Sequence, residues 1–272
     1  MAASLLVLTD FYPAANRALN YAANVASALQ ANMILLHVRR TSLLDAERFT
    51  GAVSGQTQES ARVALSRLAE ELPVPAVTEV REGRVAEVVA EAIEQHHPSL
   101  LVLGRPDVED LPEELVTTTS LEILRSTPYP MLVLPTHVPT TVRPRRVLIA
   151  LDGDPFQLGS CNDLLRQLFK ALQVELTVLH IITMNETAAR ALNTLTQTGI
   201  TIDLSSVHIK AIRNHDPAEG ILQAANPEEY DLVVLVARPR SFLGKLFHKS
   251  VTAQVLLRSP LPVLIVPATE EY

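Results

Sequence analysis

The chain has 272 residues, with 23 basic against 30 acidic side chains and a net charge of −7; that balance excludes a wholesale nucleic-acid binder and a polybasic membrane-surface protein, so any anion site has to be local. Hydrophobic residues reach 47%, yet no apolar run approaches the roughly 18 residues of a membrane span, and the absence of tryptophan leaves few platforms for stacking bases. One cysteine, Cys161, excludes an intramolecular disulfide framework, and the opening residues run without a charged leader into a strand signal, from which a cytoplasmic location is expected.

From the amino end, an apolar run at residues 5–8 ends at Thr9-Asp10, and a helical stripe of Ala18, Leu19, Ala22, Ala23, Ala26 and Leu29 follows. A second run at 34–38 precedes a stripe at Ala61, Ala64, Leu65, Leu68 and Leu72. Then come a helix over 85–95, a strand at 100–103, a helix over 121–126 and a strand from Met131. After a Pro-rich linker at 136–145 the same marks return in the same order: strands at 147–151, 176–181, 232–235 and from Val263, with helices predicted over 164–172, 187–195, 218–225 and 251–257. The repeat spacing is 142 residues at the first strand (Asp10 to Asp152) and 132 at the fourth (Leu103 to Leu235), so the second copy is shorter in a loop, where losses are tolerated. The apolar runs are continuous rather than alternating, as strands covered on both faces read. The expected architecture is α/β: two tandem doubly wound domains, residues 1–141 and 142–272, each a five-stranded parallel sheet flanked by about four helices, with a core of its own. In such sheets ligands sit beyond the carboxyl ends of the strands, which is where Asp10 and Asp152 fall.

Leu-Thr-Asp-Phe at 8–11, Asn16-Arg17-Ala18-Leu19, Leu-His-Val at 36–38 and Leu-Arg-Ser-Thr-Pro-Tyr-Pro-Met-Leu-Val from Leu124 to Val133 together resemble the universal stress protein family, and the resemblance extends over both halves. It implies a five-stranded parallel sheet with four helices per half, and dimer-like pairing through the last strands, here Met131 to Pro135 and Val263 to Pro267, either within one chain or between chains as a homo-oligomer. In ATP-binding members the fourth strand is followed by Gly-x-x-Gly, nine residues and Gly-Ser/Thr, where glycines let amides approach phosphates. The matching positions here are Gly104, Asp107, Thr117 and Thr118 in the first half and Val236, Pro239, Lys249 and Ser250 in the second. Only Gly104 and the hydroxyls remain, and Asp107, Glu109, Asp110, Glu113 and Glu114 make the first loop acidic. The resemblance also sets Asp10 and Asp152 near a base and ribose, and the Val38 backbone toward an adenine. Against this stands the plain role of an Asp that closes a βα turn or caps a helix. The pattern with its departures predicts a non-catalytic stress-response or regulatory protein with degenerate ATP loops and no resident cofactor, acting through protein contacts or a weakly held ligand. The alternative is an ATP-binding, slowly hydrolysing member that uses an altered site in the first half around Asp10, Gly104 and Thr118.

The remaining candidates have structural roles as the expected reading. His37 and His180 stand at equivalent strand ends without a second metal ligand at the required spacing. His96-His97 before Pro98 reads as a helix end, and Cys161 as a small residue at a helix start. The segment 238–249, with Arg238, Arg240, Lys245 and Lys249 beside Phe242 and Phe247, reads as a solvated loop, with grip on a phosphate or an acidic partner as the competing reading. No nucleophile elbow, P-loop or His-Glu-x-x-His motif is present, and the first βα turns lack the dinucleotide glycines.

Overall fold

The computed structural model describes residues 3–40, 54–105, 119–138, 143–182, 188–238 and 250–268. The first half runs β1 (Ser4–Leu8), α1 (Pro13–Leu29), β2 (Asn32–Arg40), α2 (Ser54–Glu70), β3 (Ala76–Gly83), α3 (Val85–His96), β4 (Leu100–Gly104), α4 (Thr119–Ser126) and β5 (Met131–Leu134). The second repeats it as β6 (Arg146–Ala150), α5 (Cys161–Leu172), β7 (Glu175–Ile182), α6 (Ala188–Thr198), β8 (Val207–Arg213), α7 (Pro217–Ala224), β9 (Leu232–Ala237), α8 (Val251–Arg258) and β10 (Val263–Pro267). The continuous runs are fully buried strands: Leu5, Leu6, Val7, Leu100, Leu101, Val102, Val147, Leu148 and Ile149 are all sealed from solvent.

The strands form one ten-stranded sheet in the order β3-β2-β1-β4-β5-β10-β9-β6-β7-β8. Within each half all pairings are parallel. The halves join through β5 and β10, which run antiparallel with Val133 opposite Val263, Leu132 opposite Leu264 and Met131 opposite Ile265. Leu132 and Leu264 are equivalent in the repeat, so the pair marks an internal two-fold axis and the chain resembles a dimer made from one polypeptide. Of the two pairings open at the sequence level, the last strands pair within the chain.

The expectation of one core per half is corrected. The buried side chains separate by face of the sheet, and each cluster spans both halves. One holds Leu19 and Tyr21 of α1, Leu65 of α2, Leu165 and Phe169 of α5, and Leu195 of α6. The other holds Val89 of α3, Leu121 of α4, Ile221 of α7 and Leu256 of α8. The cause is the β5–β10 joint: once the sheets are continuous, the helices on one side share one apolar surface, and each sealed leucine contributes about 1.5–3 kcal/mol to it. Polar ties also cross between the halves. Arg105, just past β4, donates from Nη1 to Leu256 O (2.5 Å) and from Nη2 to Ser259 O (3.0 Å), satisfying carbonyls at the end of α8. The outer edges are β3 and β8, where Val77 and Ile209 remain exposed amid charged neighbours that blunt edge pairing. Among the described residues no helix is long and apolar enough to cross a membrane.

Candidate functional site

In both halves the chain leaves the first strand through the same small structure. In the first, His37 donates from Nδ1 to Thr9 O (2.8 Å), since a carbonyl can only accept. Asp10 Oδ1 accepts from the Tyr12 amide (3.0 Å), closing an Asx turn. In the second, His180 Nδ1 bonds Leu151 O (3.1 Å) and Asp152 Oδ1 accepts from the Asp154 amide (3.1 Å). Both aspartates close turns, while the helix N-caps are Tyr12 and Ser160. The turn requires a left-handed residue, which is Phe11 (φ +66°) in the first half and Gly153 (φ +85°) in the second. A non-glycine residue there is strained, and such strain concentrates at functional sites. The Phe11 ring is held against the His37 ring, centroids 4.7 Å apart.

Beyond these turns the halves diverge. After the first, Pro13 starts α1 at once. A Cβ on Gly104 would stand 2.4 Å from Ala14 O and 2.6 Å from Ala14 C, so the glycine is required for the first turn of α1 to lie against β4. In the equivalent register the second half has Val236, and there the helix begins only at Cys161. Residues 151–160 instead form a loop with Phe156 and Leu158 buried, pinned by the Thr194 hydroxyl donating to Gly153 O (2.9 Å).

Among the described residues, the first half has an open cleft beyond this turn and the second has an arginine bridged across it. A cleft of about 900 Å³ opens at the carboxyl ends of β1, β2 and β4, lined among others by Asp10, Tyr12, Arg17, His37, Val38 and Gly104. Tyr12 stands at it with 70% of its surface exposed. In the second half Arg238 reaches back from the end of β9 across the turn. Its Nε meets Asp152 Oδ2 at 3.0 Å and its Nη2 meets Oδ1 at 2.8 Å. Nη1 and Nη2 also donate to Pro155 O (3.0 Å) and Asp154 O (2.8 Å), and the guanidinium lies 5.9 Å from the Phe156 ring centroid. This forked, charge-assisted grip leaves the Arg238 side chain 17% exposed.

Of the residues singled out from the sequence, Asp10, Val38 and Gly104 come together in the open cleft. Thr118 lies outside the described residues, although the following Thr119 and Ser120 line the cleft. Asp152 is gripped by Arg238. Ser250 caps α8, its side chain accepting from the Ala253 amide (3.2 Å). Within the basic segment 238–249 only Arg238 is described. Cys161 opens α5 and is buried, and that burial pushes its thiol pKa up despite an opposing bond with Ser160, the reverse of an activated thiol. Sequence reasoning gave no separate role to Arg17; its one signal was a cation amid the alanines of α1.

The profile of the universal stress protein family matches residues 1–135 and again 144–267. A curated relative, the universal stress protein in the QAH/OAS sulfhydrylase 3′ region of Thermus aquaticus, is 46% identical over 50 residues. That match takes in 18% of this chain and only 36% of the relative's length. Among solved structures, a universal stress protein from Archaeoglobus fulgidus DSM 4304 superposes with a TM-score of 0.76 at 18% identity, covering 97% of this chain and 98% of that one. A putative universal stress protein from Pseudomonas aeruginosa UCBPP-PA14 gives 0.60 at 16% identity, covering 98% and 94%; at such identities the likeness speaks for the fold alone. With the family profile met once in each half, and with the strand order and paired last strands described above, the chain belongs to the universal stress protein family, as a tandem of two such domains.

Proposed function

We propose that the chain is a non-catalytic, cytoplasmic regulatory module with a single ligand site, the first-half cleft, which holds a small nucleotide-type ligand weakly. The observation that carries this reading is the contrast, among the described residues, between the open first-half cleft and the second-half turn that Arg238 bridges by gripping Asp152. Its size lies within the range of small-molecule sites. Asp10 and the Thr9–His37 corner offer acceptors and donors, Val38 and Leu103 an apolar wall, and Tyr12 an exposed aromatic face suited to stacking a base. Weak binding follows from the acidic segment after β4, which lacks the second and third glycines of the family pattern. Asp10 Oδ1 and His37 Nδ1 are engaged in holding the chain, so these side chains have only their second polar atoms to turn to a ligand, which favours a binder over a catalyst. Response to the ligand would pass to a protein partner, since the last strands are consumed in the joint between the halves.

The test is calorimetric titration of the purified chain with ATP and magnesium and with AMP, together with the Asp10→Ala variant and an assay for phosphate release. The reading predicts binding in the micromolar to millimolar range that the substitution weakens, without turnover. No heat up to millimolar nucleotide, or sustained phosphate release from ATP, would overturn it.

A further inference from the structure

The two ends of the sheet are covered unequally. At the first-half end α2 runs for 17 residues, and its Leu68 and Ala69 pack against the same core as Ala76 and Val80 of β3. Only Val77 and Glu82 of β3 stay exposed. At the second-half end α6 has 11 residues, part of the shortening of that copy, and His208, Ile209, Ala211 and Arg213 of β8 are all exposed. β8 pairs with β7 without interruption from Val207 to Arg213 and contains neither proline nor bulge. Among the described residues no strand lies beyond it, so the outward N–H and C=O groups of its backbone form a template for another strand.

The side chains of β8 restrict which strand can add. Its ionisable residues are His208, Lys210 and Arg213, with no carboxylate among them. Lys210 Nζ is held by Glu229 Oε2 at 2.8 Å and lies 5.1 Å from the Tyr230 ring centroid. Arg213 has no ion-pair partner among the described residues. Residues two apart share a face of a strand, so Ile209, Ala211 and Arg213 form one exposed stripe, apolar at one end and cationic at the other. An added strand with an apolar side chain across from Ile209 and a carboxylate across from Arg213 gains at each pair, whereas a basic strand meets like charge. The charges that deter indiscriminate edge pairing therefore select an acidic strand. They also disfavour a second copy of the chain. β8 against β8 sets two basic strands side by side, and at β3 the charges are already paired, Arg81 with Glu79 (2.6 Å) and Arg39 with Glu82 (3.9 Å).

We propose that the free edge of β8 is a strand-addition site for an extended acidic segment of a partner protein, which sets an apolar side chain against Ile209 and a carboxylate against Arg213. Main-chain hydrogen bonds supply the attachment and these two residues the selection. This edge gives the protein partner of the function proposed above a place to bind; it does not depend on the cleft, and the experiment is run without nucleotide.

The experiment measures fluorescence anisotropy on the full chain with labelled threonine-based peptides of about eight residues, within the usual length of a strand. One carries glutamates near one end and valines near the other, a second has lysines in place of the glutamates, and a third is the acidic peptide N-methylated at alternate amides. The acidic peptide should bind saturably and about tenfold more tightly than the lysine peptide, as expected when two cross-strand charge pairs change sign. Arg213→Glu, a change at an exposed side chain, should reverse that order, and Ile209→Asp should weaken both peptides. N-methylation should abolish binding, because it removes donors from the added strand while leaving its charge. Absence of binding by the acidic peptide, retention of binding after N-methylation, or an order that survives Arg213→Glu would overturn the proposal. Sedimentation of the chain alone at a dimer mass that Ile209→Asp converts to monomer would overturn it too, by giving the edge to a second copy. Each result leaves the reading of the first-half cleft to its own titration.

Discussion

The two halves share a fold and a turn, yet they differ at both ends of the same two strands. At the amino ends of β6 and β9, Arg146 and Asp231 form an ion pair of 2.6 Å, and Asp231 Oδ2 also accepts from the amides of Arg145 (3.0 Å) and Arg146 (2.9 Å). At the carboxyl ends Arg238 grips Asp152. The first half has Ser4 and Ser99 where the second has Arg146 and Asp231, joined only by the Ser99 amide to Ser4 O (2.7 Å), and an open cleft where the second has Arg238. One copy is fastened and the other is left accessible. The second copy supplies a partner for β5 and half of each shared core, and on the proposed reading the first copy carries the ligand site.

The largest expected effect comes from removing what keeps the first crevice in shape. Gly104→Val would drive a side chain into Ala14, and overpacking of this kind costs about 1–3 kcal/mol. Urea unfolding should place the variant near the top of that range, and ligand binding should disappear with the displaced first turn of α1. If Gly104→Val left stability unchanged, the close approach of α1 to β4 would be wrong.

Next in size is the exchange of the two turns. Arg238→Ala removes a forked ion pair and two bonds to carbonyls at a largely buried arginine, with an expected loss of about 1–2 kcal/mol. Asp10→Ala removes one exposed turn bond and should stay within about 0.5 kcal/mol. Equal losses in thermal melts would break the contrast between the halves.

Acid should loosen the fastened half first. Burial raises the Asp231 pKa, but the Arg146 guanidinium and the two amides outweigh it and hold the carboxyl below its ordinary value. A depressed carboxylate contributes stability that is complete above its unfolded pKa, near 3.9, and is lost as pH falls through the lower folded value. Stability should therefore decline below about pH 4, with amide exchange rising first around β6. Asp231→Asn should remove that part of the acid dependence; a variant with an unaltered acid profile would assign it elsewhere.

The smallest effect probes the seam that both halves share. The Tyr21 hydroxyl is buried without a hydrogen-bond partner, and burial pushes its pKa up. The Tyr21 side chain also lines a void of about 10 Å³ with Val25, Leu168 and Leu172, and a void that is wholly apolar stays dry. Tyr21→Phe should be neutral or stabilising by up to about 1 kcal/mol. A clear loss of stability would mean that the hydroxyl has an acceptor.

The sequence disclosed what is local or periodic. The buried strands were readable because Leu100 to Leu103 and Leu232 to Leu235 are uninterrupted apolar runs, and the internal repeat follows from the order of such runs. The edge strands β3 and β8 were not placed individually: each alternates charged with apolar residues, as an edge requires, and reads much like a loop. The division of the core by face was hidden because it depends on β5 meeting β10, a contact across 132 residues. Within the site, Asp10 and Val38 were found by resemblance. Gly104 was noticed as a phosphate-approach glycine, whereas its packing on Ala14 involves a residue 90 positions away. The Arg238 grip on Asp152 spans 86 residues, and nothing in the basic composition of 238–249 distinguished that arginine from its neighbours.

Hydrogen–deuterium exchange of the full chain with and without saturating AMP tests the single-site account most directly, because it reports both crevices in one sample. The account predicts slowed exchange over residues 9–17 and 36–39 and no change over 151–161. Equal protection of both turns, or protection confined to 151–161, would contradict it.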